Sequence, residues 1–298
     1  MSSVSTVCEF FLPVFNPLEH QEMTSMHRLL TLGMFLVPTL AMAQGREPLV
    51  EFENMTWVEV RDALAAGKTT ALYYTGGTEQ RGPQNTNGGH NFMARATVKA
   101  IALELGNAIA MPVLPYTPNN ASATLPGTIG LTNEILSAIL ERLAEEAIKT
   151  GFRNVVLMGD HGGGQPAVYR DVATKLDEKY TAQGIRVIYA DSVYGPAQDD
   201  FEKSLRERGY PPSGHGALFD TSYMIYTCGA ACVRMDLLKD ALGDPVRVPG
   251  QPRDTTTPRK NNGITGDARR SSAELGKELF DLRVKYAVRQ IRRELGSK

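Results

Sequence analysis

Apolar and polar positions along the chain switch between two periods, and the switches separate strands from helices. Residues 69–75 form a β-rich apolar run that stops at Gly76-Gly77. Residues 94–105 carry apolar side chains at helical spacing, and 108–114 is again strand-like, its prolines suiting an edge or a strand end. In 134–150, Ile135, Leu136, Ile139, Leu140, Leu143, Ala147 and Ile148 share one helical face, with Asn133 placed to cap the helix and Gly151 to stop it. A short buried strand over 154–158, a loop over 159–164, a helix over 167–180 and a strand over 185–190 follow. This alternation predicts one α/β domain over residues 44–298 with a mostly parallel sheet. Residues 245–266, rich in Pro, Arg, Thr and Asn and without periodicity, read as a long loop or mobile lid rather than packed structure. The last helix is expected to start at a capping box from Ser271 to Glu274, turn Leu275, Leu279 and Leu282 inward, and end in solvated Arg289, Arg292 and Arg293.

The N-terminal residues follow a different pattern. Met26-His27-Arg28 is a basic start, 29–40 is apolar, and Ala41-Met42-Ala43 is a small-x-small cleavage signal, so residues 1–43 read as a leader and signal peptide removed after Ala43. The apolar run is shorter than the roughly 20 residues a spanning helix needs. A periplasmic or secreted location follows, with no membrane attachment after cleavage. With 32 basic against 33 acidic side chains, there is no electrostatic reason to expect nucleic acid, and a small molecule is the better default. Cys228 and Cys232 lie in an apolar small-residue stretch, which favours buried thiols over a bridge.

Candidate chemistry gathers after the strands, where parallel α/β sheets bind ligands. Gly76-Gly77-Thr78-Glu79-Gln80-Arg81-Gly82-Pro83 follows the first strand, and Gly159-Asp160-His161-Gly162-Gly163-Gly164 follows the strand at 154–158. After residue 43 the histidines are His90, His161 and His215, each beside a glycine, which suggests loops that bring backbone close to a ligand. Glu79, His90 and His161 could supply the three protein ligands of a catalytic divalent cation with one position open. His215 and Asp220 remain to move a proton. A phosphate-binding reading of the 159–164 loop lacks the Lys-Ser/Thr ending, and a serine hydrolase lacks a G-x-S-x-G elbow.

On these same loops the sequence resembles the creatininase family of metal-dependent amidohydrolases. The resemblance rests on Glu79-Gln80-Arg81-Gly82-Pro83, Gly88-Gly89-His90, Pro126-Gly127-Thr128-Ile129, the 159–164 loop, and His215-Gly216-Ala217-Leu218-Phe219-Asp220-Thr221-Ser222, in matching order and spacing. It implies a three-layer α/β/α sandwich with a mostly parallel central sheet, assembly into a homo-oligomer, and hydrolysis of a small cyclic or linear amide or lactam with two divalent metals. By position, Glu79 and His161 fall on ligands of the inner metal and His215 on the proton-shuttling histidine.

The departures change that expectation. His90 stands where the family has a bridging aspartate, and Arg81 where it has a second-metal histidine. A neutral imidazole bridges two cations poorly, and a guanidinium binds none. The expected site therefore holds one divalent ion on Glu79, His90 and His161, with zinc first and manganese or iron as alternatives. Arg81 is expected to grip a substrate carboxylate or oxyanion, with a salt bridge to Glu79 as the competing reading. Asn120 and Asp160 are further substrate-binding candidates, and Tyr116, Asn119 and Tyr194 plausible walls. A binding-only member that has lost catalysis is the alternative to the enzyme.

Overall fold

The computed structural model describes residues 47–119, 122–162, 164–247, 250, 252 and 254–296. The expected signal peptide, the cleavage point and Asn120 lie outside these. Four strands, β1 (Thr70–Thr75), β2 (Ala108–Ala110), β3 (Asn154–Gly159) and β4 (Arg186–Tyr189), form one sheet in the order β2-β1-β3-β4, with every pairing parallel. The described residues belong to one compact unit, and none of their helices is long and apolar enough to cross a membrane.

Side chains on a strand alternate between faces, and each face here has its own helical layer. Leu72 and Tyr74 of β1, Val156 and Met158 of β3 and Ile188 of β4 pack on α2 (Gly89–Leu105) and α7 (Ala273–Leu295). Ala71 and Tyr73, Val155 and Leu157, and Val187 pack instead on α3 (Asn133–Thr150) and α4 (Gln165–Tyr180). Burial on both faces makes these strands near-continuous apolar runs. The result is the α/β/α sandwich. α1 (Trp57–Ala65) precedes it, and α5 (Gly195–Glu207) and α6 (Leu218–Cys228) pack beside α7 in a third cluster around Phe201, Tyr223 and Leu279.

Several expected boundaries move. Thr132, not Asn133, caps α3, its hydroxyl accepting from the Ile135 amide at 3.3 Å, and Ile135 faces outward at 49% exposure. Ser272, not Ser271, caps α7 through the Leu275 amide. β2 ends at Ala110, and α2 starts at Gly89, so His90 sits in a helix's first turn rather than on a loop. The 245–266 segment is partly packed: Ile264 is buried against Ala217, Leu238 and Ala241, and Asp244 bridges Thr265. Cys228 and Cys232 are not free thiols but a disulfide. α6 ends at Cys228 and a 3-10 turn over Gly229–Ala231 folds the chain back, bringing the two Cα atoms to 5.6 Å, within bridging range.

Candidate metal centre

The turns that leave β1 and β3 meet α2 and the turn before α6 at one cavity of about 810 Å³. Glu79 lies four residues past the end of β1, its amide donating to the Asn87 carbonyl at 2.9 Å. His161 lies two residues past β3, and its amide donates to Gln165 Oε1 at 3.3 Å. Gly77 makes room for it: a Cβ there would stand 2.5 Å from His161 Cε1. Gly216, at φ +67°, allows the turn carrying His215 to press on the Arg81 carbonyl, which a Cβ would approach to 2.7 Å.

One carboxylate oxygen is the focus. Glu79 Oε1 lies 2.9 Å from His90 Nε2, 3.3 Å from His161 Nε2 and 3.6 Å from His215 Nδ1. Its other oxygen, Oε2, accepts from Ser122 Oγ at 2.6 Å. The rings of His90 and His161 are 3.8 Å apart, and each turns its Nδ1 to Asp160, at 2.9 and 3.5 Å. Glu79, His90 and His161 are all buried, and each offers a ligand atom within 4.8 Å of the others. Burial alone would raise the Glu79 pKa, but hydrogen bonds from His161 and His90 reverse this and hold it well below the usual carboxylate range. Asp160 is likewise held low, the two histidines outweighing its burial. For His161, burial works against the charged form, yet Asp160 and Glu79 push its pKa up to about 9.

These residues fit a divalent cation. His161 Nε2, which faces Glu79, is buried without a well-formed hydrogen bond, an arrangement that proteins rarely leave uncompensated. Two imidazoles and a carboxylate are the donor set of open zinc sites. With the Nδ1 of each ring turned to Asp160, both Nε2 atoms would be the ones to bind an ion beside Glu79 Oε1.

His215 is oriented differently. Its Nε2–H donates to the Gln80 carbonyl at 2.6 Å; a carbonyl only accepts, so Nε2 carries the proton and Nδ1 is open. Burial lowers its pKa, against the pull of Glu79, so the ring is neutral near pH 7.

The expected role of Arg81 is corrected by position. Arg81 is wholly buried and lines no part of the cavity; its Nη2 lies 2.5 Å from Asp220 Oδ1, so it can neither grip a substrate nor bridge Glu79 in the way expected. Asp220 has both oxygens engaged, Oδ1 by Arg81 and Oδ2 by the Gly216 amide at 2.8 Å. Burial would raise its pKa, but Arg81 holds it low, so it stays ionised, and it anchors the His215 turn at the cavity wall. The Asp160 side chain is 1% exposed, lines the cavity floor and faces both histidines. Asn119 donates to the Thr78 carbonyl at 3.0 Å and, with Tyr194, lines the cavity; Tyr116 is exposed and does not. Ser122 and Arg283 were not anticipated. No sequence pattern marks Ser122, whereas Arg283 continues the inward Leu275, Leu279 spacing on α7.

The sequence profile described as creatinine amidohydrolase matches residues 53–291. A 3-dehydro-scyllo-inosose hydrolase of Thermotoga maritima is 28% identical over 180 residues, 59% of this chain; the match spans only about half of that relative, 55% of its length. Among solved structures, a tryptophan-to-alanine mutant of creatininase superposes with a TM-score of 0.67 at 22% identity, covering 83% of this chain and 99% of the other. A creatininase mutant of Zn-Zn type gives 0.66 at 23% identity, covering 83% and 99%. At these identities the structural likeness shows the fold alone, but the profile takes in residues 53–291 of 298, and on that ground the chain belongs to the creatininase family.

Proposed function

We propose that the chain is a hydrolase that cleaves a C–N bond of a small cyclic or linear amide, using one divalent cation held by Glu79, His90 and His161. The observation that carries this reading is the convergence of both Nε2 atoms on Glu79 Oε1 while Asp160 takes both Nδ1 atoms. Zinc is the first choice of ion, with manganese or iron as alternatives. A divalent cation there supplies Lewis acidity, making water a nucleophile at neutral pH and polarising a carbonyl. Ser122 holds Glu79 Oε2, so the carboxylate presents a single oxygen. His215, neutral with Nδ1 open beside Glu79, accepts the proton released by the attacking water and returns it to the leaving nitrogen. Asp220 holds the His215 turn through the Gly216 amide. A single ion rather than two is supported by Arg81, whose buried guanidinium is paired with Asp220 where the family pattern has a metal-binding histidine.

The cavity volume suits a small molecule. Its hydroxyl and amide lining (Asn119, Ser122, Thr124, Gln198, Asn261) also suits a polyhydroxylated ring, and the Thermotoga relative's named substrate favours that second class. Export belongs to the same proposal: it rests on the pattern in residues 26–43 and gains support from the disulfide, which suits an oxidising compartment. So does self-association into a homo-oligomer.

The test is turnover of an amide, lactam and cyclic polyol-ketone panel by protein beginning at Gln44, with and without a chelator. Turnover lost with chelator and restored by zinc is expected. Activity indifferent to chelator would contradict the mechanism, and metal-independent ligand binding without turnover would leave the binding-only reading in its place.

A further inference from the structure

Asp160 meets a second partner besides the histidines. Arg283 on α7 places Nη1 3.5 Å from Asp160 Oδ2, the same oxygen that lies 2.9 Å from His90 Nδ1. Both side chains are almost wholly buried, at 2% and 1% exposure. The guanidinium carbon sits 4.8 Å from the centre of the Tyr223 ring and 5.4 Å from that of Tyr194, and Arg283 does not line the cavity. Its Nε and Nη1 make no hydrogen bond. A cation is costly to hold in such a place unless a charge offsets it, and among the described residues the carboxylate paired with it is Asp160.

We infer that Arg283 is a positioning residue for the metal-binding histidines, acting through Asp160. One carboxylate must turn Oδ2 to His90 and Oδ1 to His161 at once, and a hydrogen bond to either ring alone leaves it free to rotate toward that ring. A fixed cation on the Oδ2 side, wedged between two aromatic faces, sets the carboxylate's orientation and holds its charge. That charge keeps the Nδ1 protons in place and both Nε2 atoms available as ligands. The inference rests on the metal reading above and adds to it a residue that touches neither metal nor substrate.

The experiment is a double-mutant cycle on metal affinity. Zinc affinity is measured by chelator competition, and the cobalt-loaded visible spectrum recorded, for the unaltered chain, Arg283→Met, Asp160→Asn and the double variant, with thermal unfolding of each metal-free protein as a check on folding. Arg283→Met and Asp160→Asn should each weaken zinc binding by about 10–100-fold, the range for supports of metal ligands. The double variant should be no weaker than the poorer single one, and the cobalt bands should shift in all three. Arg283→Lys, which keeps the charge, should restore most of the affinity. Should Arg283→Met fail to fold, Arg283→Lys and Asp160→Asn decide: Asp160→Asn with unaltered affinity overturns the inference. So does a double variant whose loss equals the product of the single losses, or an Arg283→Met chain that binds zinc like the parent. A parent chain that binds no metal removes the metal reading and this inference together, whereas tight binding by every variant removes this inference alone.

Discussion

Two carboxylate–guanidinium pairs stand at the metal centre, Asp160 with Arg283 and Asp220 with Arg81, and they are put together differently. In the first, the guanidinium stands at 3.5 Å and the two carboxylate oxygens face His90 and His161 at 2.9 and 3.5 Å. In the second, the guanidinium closes directly on the carboxylate at 2.5 Å, and the remaining oxygen takes a backbone amide. The same two residue types thus give a support for metal ligands in one place and a closed ion pair in the other. The difference teaches why a single guanidinium in a family site need not mean substrate binding: its role is set by what the partner carboxylate has left to offer.

The largest effect that would sharpen the contrast is on stability. Replacing Arg81 by Met leaves Asp220 charged, buried and unpaired, which should cost about 3–5 kcal/mol. Denaturant unfolding of the metal-free protein reads this directly. A loss below about 1 kcal/mol, the range of exposed pairs, would mean that the Arg81–Asp220 pair is not closed as described.

A smaller effect concerns pH. In the metal-free protein the His161 pKa is raised to about 9, so at neutral pH the ring is protonated, and a cation must displace that proton. The sign follows: metal affinity falls as pH drops below about 9, by about tenfold per pH unit for one displaced proton, and levels off above. The metal-free fold goes the other way, because protonation of His161 contributes stability that is full below the ordinary histidine value of 6.5 and lost as pH rises through about 9. Zinc competition and thermal unfolding between pH 6 and 10 check the two slopes, and parallel slopes would contradict the account.

Much of this was legible in the sequence where burial leaves a period. β1 and β3 stand out because both faces are covered, and α3, α4 and α7 because one face is. α6 is buried on every side over seven consecutive residues from Leu218 to Met224, with Asp220, Thr221 and Ser222 among them, so no apolar stripe marks it as a helix. The first turn of α2 is hidden because Gly88-Gly89-His90-Asn91 reads as a loop, and only tertiary packing winds it. Glu79, His90 and His161 could be grouped from their positions after strands and beside glycines. Which guanidinium meets which carboxylate could not, because Asp220 and Arg81 are far apart in sequence and meet only through the turn at Gly216. Arg283 was concealed by its charge: an arginine on a long polar helix looks solvated unless its spacing from Leu275 and Leu279 is followed four residues further.

The most direct measurement is the metal content of the purified protein from Gln44 onward, beside His161→Ala. One zinc, manganese or iron per chain, lost in the variant, is the predicted result. Two ions per chain would contradict the assignment of Arg81 to a closed ion pair, and none under any loading condition would contradict the metal centre itself.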